Sequence, residues 1–525
     1  VDDMDICNRK TIKTTIVVLA LTVFFLSVSC FANDEKVSSL IQLDDTELSE
    51  VKGQALMSLS YIAPTDMTNL ETKRVDGDKN IGFYKLGLEA ELQLNANIKK
   101  LQLGCGGVNG AGACDIDIDN LSLSGLANTN TGRVSSSAKI TNPFIEFAIK
   151  NPNSASTRSI AGVRLSAENV IGLLTAGTEN STSPNGINNI SGFMRIQSDQ
   201  SGYIYGLANT GAQKMDVAKY PITGKINSGV GAVLSIQTER GELSIPAMQG
   251  IPFIRNGVTV NGNRVSAIPL KATLDIPSIQ LGWLNSGYPA SGRTQYDYAV
   301  ENPIDWNPNK VPILVQTLGG PLSAKITGCQ GITCLFTNIM GTVRVGAVLN
   351  NAYLKGNITN MSADVTINQG LGYIHYLPIN SAFSLSLQSQ SIKWPGSYIG
   401  ANPERINLDG SVNNSVPATI SDVARRGWWM SFSDPIDLGS VNPTDDINIE
   451  PLFPQISTQV STYLNNNPAS IGIGSLINAV LGVGNIQVSS TDINLKQYPL
   501  NLTLSNLKLN GQNFAPNCYG SLKFC

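Results

Sequence analysis

Histidine is nearly missing from this sequence: His375 is the only one in 525 residues. A zinc hydrolase helix needs two histidines on one face, so that chemistry is excluded. Also missing are a Gly-x-Ser-x-Gly elbow, the Asp-Thr-Gly or Asp-Ser-Gly of aspartic proteases and a phosphate-cradling Gly-x-x-x-x-Gly-Lys loop. The chain is therefore read as non-catalytic. Charge is scarce as well, at 14% of residues against an ordinary value of about 25%. Lysine and arginine (36) are outnumbered by aspartate and glutamate (39), so no basic field exists to hold a phosphate backbone, and a nucleic-acid partner is not expected. Aromatics make up only 6%, which argues against the aromatic girdles of an outer-membrane barrel. No apolar run is long enough to span a bilayer, which takes about 20 residues.

What the amino end does hold is Arg9, Lys10 and Lys13, an apolar run from Ile16 to Leu26, and the small residues leading to Ala32. This is the order of a secretory signal peptide, so residues 1–32 are expected to be removed and the chain to pass through the export machinery. The competing cut, before a lipidated Cys30, would want Leu where Ser27 stands. Of the eight cysteines, Cys7 and Cys30 fall in this leader; the others lie close together as Cys105 with Cys114, Cys329 with Cys334, and Cys518 with Cys525. In an oxidising compartment such spacings predict three local disulfides. Every separation is odd, the parity of directly opposed residues on a hairpin, so each pair is expected to staple a hairpin mouth.

The remaining chain alternates apolar and polar residues, most clearly from Leu86 to Ile98, Ala272 to Ile276, Phe383 to Leu387 and Leu500 to Leu504. Gly and Pro punctuation, as at Asn109-Gly110, Asn261-Gly262 and Gly319-Gly320-Pro321, marks turns. The expected fold is all-β: elongated, mostly antiparallel long-stranded sheets, sandwich-like or solenoid-like, with disulfide-stapled hairpins and minor short helices. Helix is expected from Leu43 to Val51, where Asp44 and Glu47 are spaced as a capping box, and from Ile456 to Leu464. The Cys105 to Cys114 loop resembles Cys329 to Cys334, which suggests two related β units. The division expected is a segment at 33–60 with the capped helix, a β-rich domain at 61–310 and a second at 311–525, meeting near the Pro-rich stretch from Pro303 to Pro312.

Candidate sites are few. Asp115, Asp117 and Asp119 project from one strand face roughly 6.6 Å apart, twice the strand rise. They could gather around calcium, or form a solvated face with Ile116 and Ile118 inward. Arg425-Arg426-Gly427-Trp428-Trp429 sets two cations beside two indoles, either an adhesive surface patch at Trp428 and Trp429 or core packing with a cation–π contact. Ser136 with Lys139 and Ser505 with Lys508 have Ser-x-x-Lys spacing, but the partner motifs of serine–lysine hydrolases are missing. His375 reads as a satisfied sheet histidine.

The stretches LDDTELSEVKGQA (Leu43 to Ala55), FYKLGL (Phe83 to Leu88) and IKKLQLGCGGVNGAGACDIDIDN (Ile98 to Asn120) resemble the FilA group of pilus-system proteins of gammaproteobacteria, mainly over residues 43–125. The resemblance implies a secreted, non-catalytic component of a cell-surface fibre, with other fibre components or copies of itself as partners. The carboxyl end, with Gly511 and Phe524 placed as in donor-strand pilins, points the same way, although Pro516 and the Cys518 to Cys525 pair interrupt the strand. The expected location is the cell surface, reached through the periplasm. A different class remains open: one-sided apolar strands could carry a lipid or other apolar ligand through the periplasm.

Overall fold

The computed structural model describes residues 57–512, apart from internal segments of which the longest are 282–316, 335–341 and 400–420. The leader, the Leu43 to Val51 helix, the Gly319-Gly320-Pro321 turn, the Pro-rich stretch and the Cys518 to Cys525 pair lie outside the described residues. Those described are built mostly of strands, in sheets of thirteen, nine, five and two, and most strand pairings are antiparallel. Strands from before and after residue 310 share the three larger sheets, so that position does not separate one sheet from another. None of the described helices is long and apolar enough to cross a membrane.

The largest sheet begins at the edge strand Met57–Ile62 and runs through Ile81–Leu88, Ala138–Lys150, Ser159–Thr175, Phe383–Gln388, Gly427–Phe432, Ile187–Gln197 and Ile116–Ser124 to Ala96–Leu103. One edge of Ile116–Ser124 pairs with Ile187–Gln197 through residues 116–118 and with Ser159–Thr175 through residues 122–124. That double pairing closes a circuit of strands. Arg133 pins the corner: its buried guanidinium donates to the Ser124 hydroxyl at 3.1 Å and the Thr175 hydroxyl at 2.8 Å. Leu274, Val365 and Leu502 of a five-stranded sheet share one buried cluster, the main core, with Ile190 and Met430 of the large sheet.

The expected helix is present as Phe453–Asn466. Ile456, Val460 and Leu464 recur every fourth residue and are all buried, the stripe a helix presents to a core. Pro454 suits the first turn, and Asn467, which precedes Pro468, is disfavoured in the helical region and ends it.

Two expectations, one of an unbroken run and one of a turn, are corrected. The alternating run from Leu86 to Ile98 is three strands, Ile81–Leu88, Glu91–Leu94 and Ala96–Leu103, broken at Glu89-Ala90 and at Asn95. Asn142, at φ +48°, donates its backbone N–H to Ala90 O, and the Asn95 amide donates to Arg133 O, so the chain turns two corners without losing its alternation. Asn261-Gly262 is not a turn either: it lies inside Val258–Val265, where the register shifts between Gly262 and Val265 and Arg264 takes φ +52°. This is a bulge, which Asn-Gly chemistry serves as readily as a turn.

Cys105–Cys114 and Cys329–Cys334 are disulfide-bonded. The first continues the register of Leu103 opposite Ile116 and staples that hairpin's mouth, as parity required. The second does not staple a hairpin, because Cys329 lies opposite Leu234 of Val233–Arg240, and the bond closes a local turn in which Cys334 N–H donates to Gly331 O. Replacing Cys105 and Cys114 together with serine is expected to lower stability by roughly 2–3 kcal/mol, the loop-closure value for so short a loop. Urea unfolding under non-reducing conditions measures it; an unchanged midpoint would show that the hairpin closes without the bond.

Candidate assembly face

In the strands that begin the large sheet, alternation sends successive side chains to opposite faces, and the two faces differ sharply. On one face the register aligns Lys85, Glu146, Arg164, Ser386 and Trp429. Residues Ile392 to Tyr398 and Asp422 to Ala424 pack over this side, and Phe83, Phe193, Trp394 and Trp429 form a second, fully buried core beneath them. Arg164 is buried there between the rings of Phe144 and Trp394, 5.4 and 5.2 Å from their centroids, and donates to Glu146 and to Pro395 O. Burial pushes the Glu146 carboxyl up and the Arg164 guanidinium down. Asp422 accepts from Trp429 Nε1 at 3.0 Å and from the Ser431 hydroxyl, and burial pushes it up as well.

On the other face the same strands align Tyr61, Tyr84, Phe147, Val163 and Leu387 in one row and Leu59, Leu86, Ile145, Leu165 and Leu385 in the next. Ile149 lies opposite Ile160 in a third. No charged side chain falls in these rows. Tyr61 stacks on Tyr84 with ring centroids 4.3 Å apart. Toward Gly427–Phe432 this face passes under the main core, where Met430 is buried; toward Met57–Ile62 it is uncovered among the described residues. Leu59 is 75% exposed, Ile160 62%, Leu165 48% and Leu387 43%. Five strands at about 4.8 Å and six residues at about 3.3 Å make this face roughly 24 by 20 Å. Isolated exposed leucines are ordinary, but a contiguous charge-free surface of several hundred Å² is the usual mark of an interaction site.

Comparison with protein-family models, curated proteins and solved structures finds no match to this chain. The reading of its sites therefore rests on geometry.

The three aspartates do not form one carboxylate cluster. Asp115 is buried, accepting from Asn109 Nδ2 at 2.9 Å, Arg264 Nε at 3.2 Å and the Trp428 backbone N–H at 3.0 Å, and so ties the Cys105 to Cys114 loop to the tryptophan strand. Lys100 sits between the other two, its Nζ 2.6 Å from Asp117 and 2.9 Å from Asp119, and Asn188 donates to both. The ammonium thus takes the place a calcium ion would need, and no group of three metal-binding side chains is found among the described residues. Ile116 and Ile118 point inward.

Trp429 is buried, with Arg425 5.9 Å from its ring centroid, so the core reading holds for it; Trp428 is half-buried against the main core. The lysines of the two Ser-x-x-Lys patterns face carboxylates instead of serines, Lys139 near Glu91 at 3.9 Å and Lys508 near Asp445 at 2.8 Å. An apolar cavity between the helix Phe453–Asn466 and the nine-stranded sheet, lined by Ile222, Ile236, Leu322, Ala352 and Leu464, measures about 30 Å³. A water needs about 10–15 Å³ by the same measure, so the space admits about two or three waters and no acyl chain.

His375 is buried, but in the connection before Tyr376–Asn380 and not in a strand. Its Nδ1 lies 2.6 Å from Ala176 O and its backbone N–H donates to Gln512 Oε1 at 2.8 Å. Burial holds the imidazole below its ordinary 6.5, against the opposing effect of the Ala176 hydrogen bond. The unfolded chain therefore takes up this proton first as pH falls, so the contribution is whole above the unfolded pKa and is lost below it. From about pH 7.5 to about pH 5.5 we expect the melting temperature to fall more in the native protein than in His375→Asn. Parallel pH profiles for the two would contradict the assignment.

The bare face is not foreseen where alternating runs are assigned one apolar side each. The signal was present in Phe144-Ile145-Glu146-Phe147-Ala148-Ile149, where both parities are apolar and only Glu146 interrupts. Such a strand has something other than water intended for both sides.

Proposed function

We propose that this chain is an exported, non-catalytic structural component of a bacterial cell-surface fibre or adhesive layer, packed against its neighbours through the bare face that runs from Leu59 and Tyr61 to Leu387. The observation that carries this reading is that face: charge-free in its rows, contiguous, and ending at a sheet edge that is open among the described residues. Two local disulfides are the covalent state an oxidising compartment maintains, and a surface poor in charge suits close packing of subunits. The resemblance to the FilA group points the same way.

Immunogold electron microscopy of sheared surface material tests it. Labelled fibres that vanish on deletion of the chain are expected; a dispersed periplasmic monomer, with fibres unchanged on deletion, would overturn the proposal. A periplasmic carrier of apolar ligands is favoured by the same face; the cavity beside the helix Phe453–Asn466 is too small to hold such a ligand. Mass spectrometry of protein purified without detergent separates the two, because a carrier retains lipid.

A further inference from the structure

The edge strand Met57–Ile62 pairs with Ile81–Leu88 along one side and with no other strand among the described residues. Natural sheets guard an open edge with lysine, proline, a bulge or a covering element. The sequence Met57-Ser58-Leu59-Ser60-Tyr61-Ile62 has no charge and no proline, and its register with Ile81–Leu88 is unbroken. Met57, Leu59 and Tyr61 are exposed at 58, 75 and 41%. We infer that this edge is completed by the same strand of a second copy of the chain, joining two large sheets antiparallel about a two-fold axis. The inference rests on the assembly reading above and names its partner.

The geometry restricts the register. A two-fold that sets two equivalent strands antiparallel in one sheet stands perpendicular to the sheet, so equivalent residues point to the same side. Directly opposed residues also point to the same side, and every opposed pair must therefore share parity. Full overlap of the six residues would set Leu59 against Ser60 and is forbidden. The two best permitted registers centre on Leu59 or on Ser60. Centring on Leu59 leaves Ile62 unopposed and opposes Leu59 to itself, Met57 to Tyr61 and Ser58 to Ser60, so apolar meets apolar and hydroxyl meets hydroxyl at every opposed position. Centring on Ser60 leaves Met57 unopposed and sets Ser58 against Ile62. With no charge on the strand, two copies meet without like-charge opposition. The contact is isologous and closed, and it sets the bare faces of both copies side by side on one surface.

Cross-linking and sedimentation of the exported chain test this. Leu59→Cys is expected to give a disulfide-linked dimer on mild oxidation, whereas Met67→Cys, at an equally exposed position (74%) off the edge, gives none. Native protein should sediment at twice the monomer mass, and Leu59→Lys at the monomer mass with an unchanged circular dichroism spectrum. Monomeric native protein, or equal cross-linking at the two positions, overturns the inference. Fibres that depend on the chain but survive Leu59→Lys would overturn it while leaving the proposed function standing; a dimer in cells without such fibres would do the reverse.

Discussion

Replacing Arg164 with alanine is expected to lower the unfolding free energy by roughly 3–5 kcal/mol, because it strands the Glu146 carboxylate in a site closed to water. The guanidinium is held by Glu146 and Pro395 O and flanked by Phe144 and Trp394, and the other cation acting on the Glu146 carboxyl, Lys85, makes no described ion pair with it. Both pKa shifts have the sign of burial outweighing the pair's attraction, Glu146 up and Arg164 down. It follows that removing both charges should cost less than removing one. Arg164→Met with Glu146→Leu is expected to recover much of the loss, and urea unfolding of the two single variants and the double measures the coupling. A double variant no better than Arg164→Ala would show that the pair itself, and not the stranded charge, holds the second core together.

Trp429→Ala is expected to cost roughly 3–5 kcal/mol, the range for deleting a large buried aromatic. It empties the centre of the second core and leaves Asp422 without its indole donor. Trp428→Ala should cost much less, since that ring is half-buried and its backbone N–H, not its indole, meets Asp115. Equal, small effects at both positions would restore the view of the pair as a surface patch.

Period-two alternation carries the fold class, and it was legible because a strand's side-chain period survives corners and bulges. For the same reason it could not reveal the corners: Glu89-Ala90 and Asn95 break the ladder without breaking the rhythm. Parity located the Cys105–Cys114 staple, but it could not tell a hairpin from the turn at Cys329–Cys334, where the strand's neighbour is distant in sequence. The sequence shows the three aspartates alternating with isoleucines, but not their partners: Arg264 holds the buried Asp115, and only the tertiary register puts the Lys100 ammonium between Asp117 and Asp119 and brings Asn188 to both. The bare face was the largest omission. Which side of a doubly apolar strand is covered depends on where other layers end, and no window of sequence contains that.

If neighbouring subunits pack on the bare face, a charge in its middle should abolish assembly. The most direct test is Leu165→Glu, at a position 48% exposed. In isolation the change should alter stability by no more than about 0.5 kcal/mol, as surface substitutions do. In cells exporting the variant, with its melting temperature and disulfides unchanged, the account predicts that immunogold-labelled surface fibres disappear and folded protein accumulates in the periplasm. Labelled fibres at native density, carrying the variant, would contradict it.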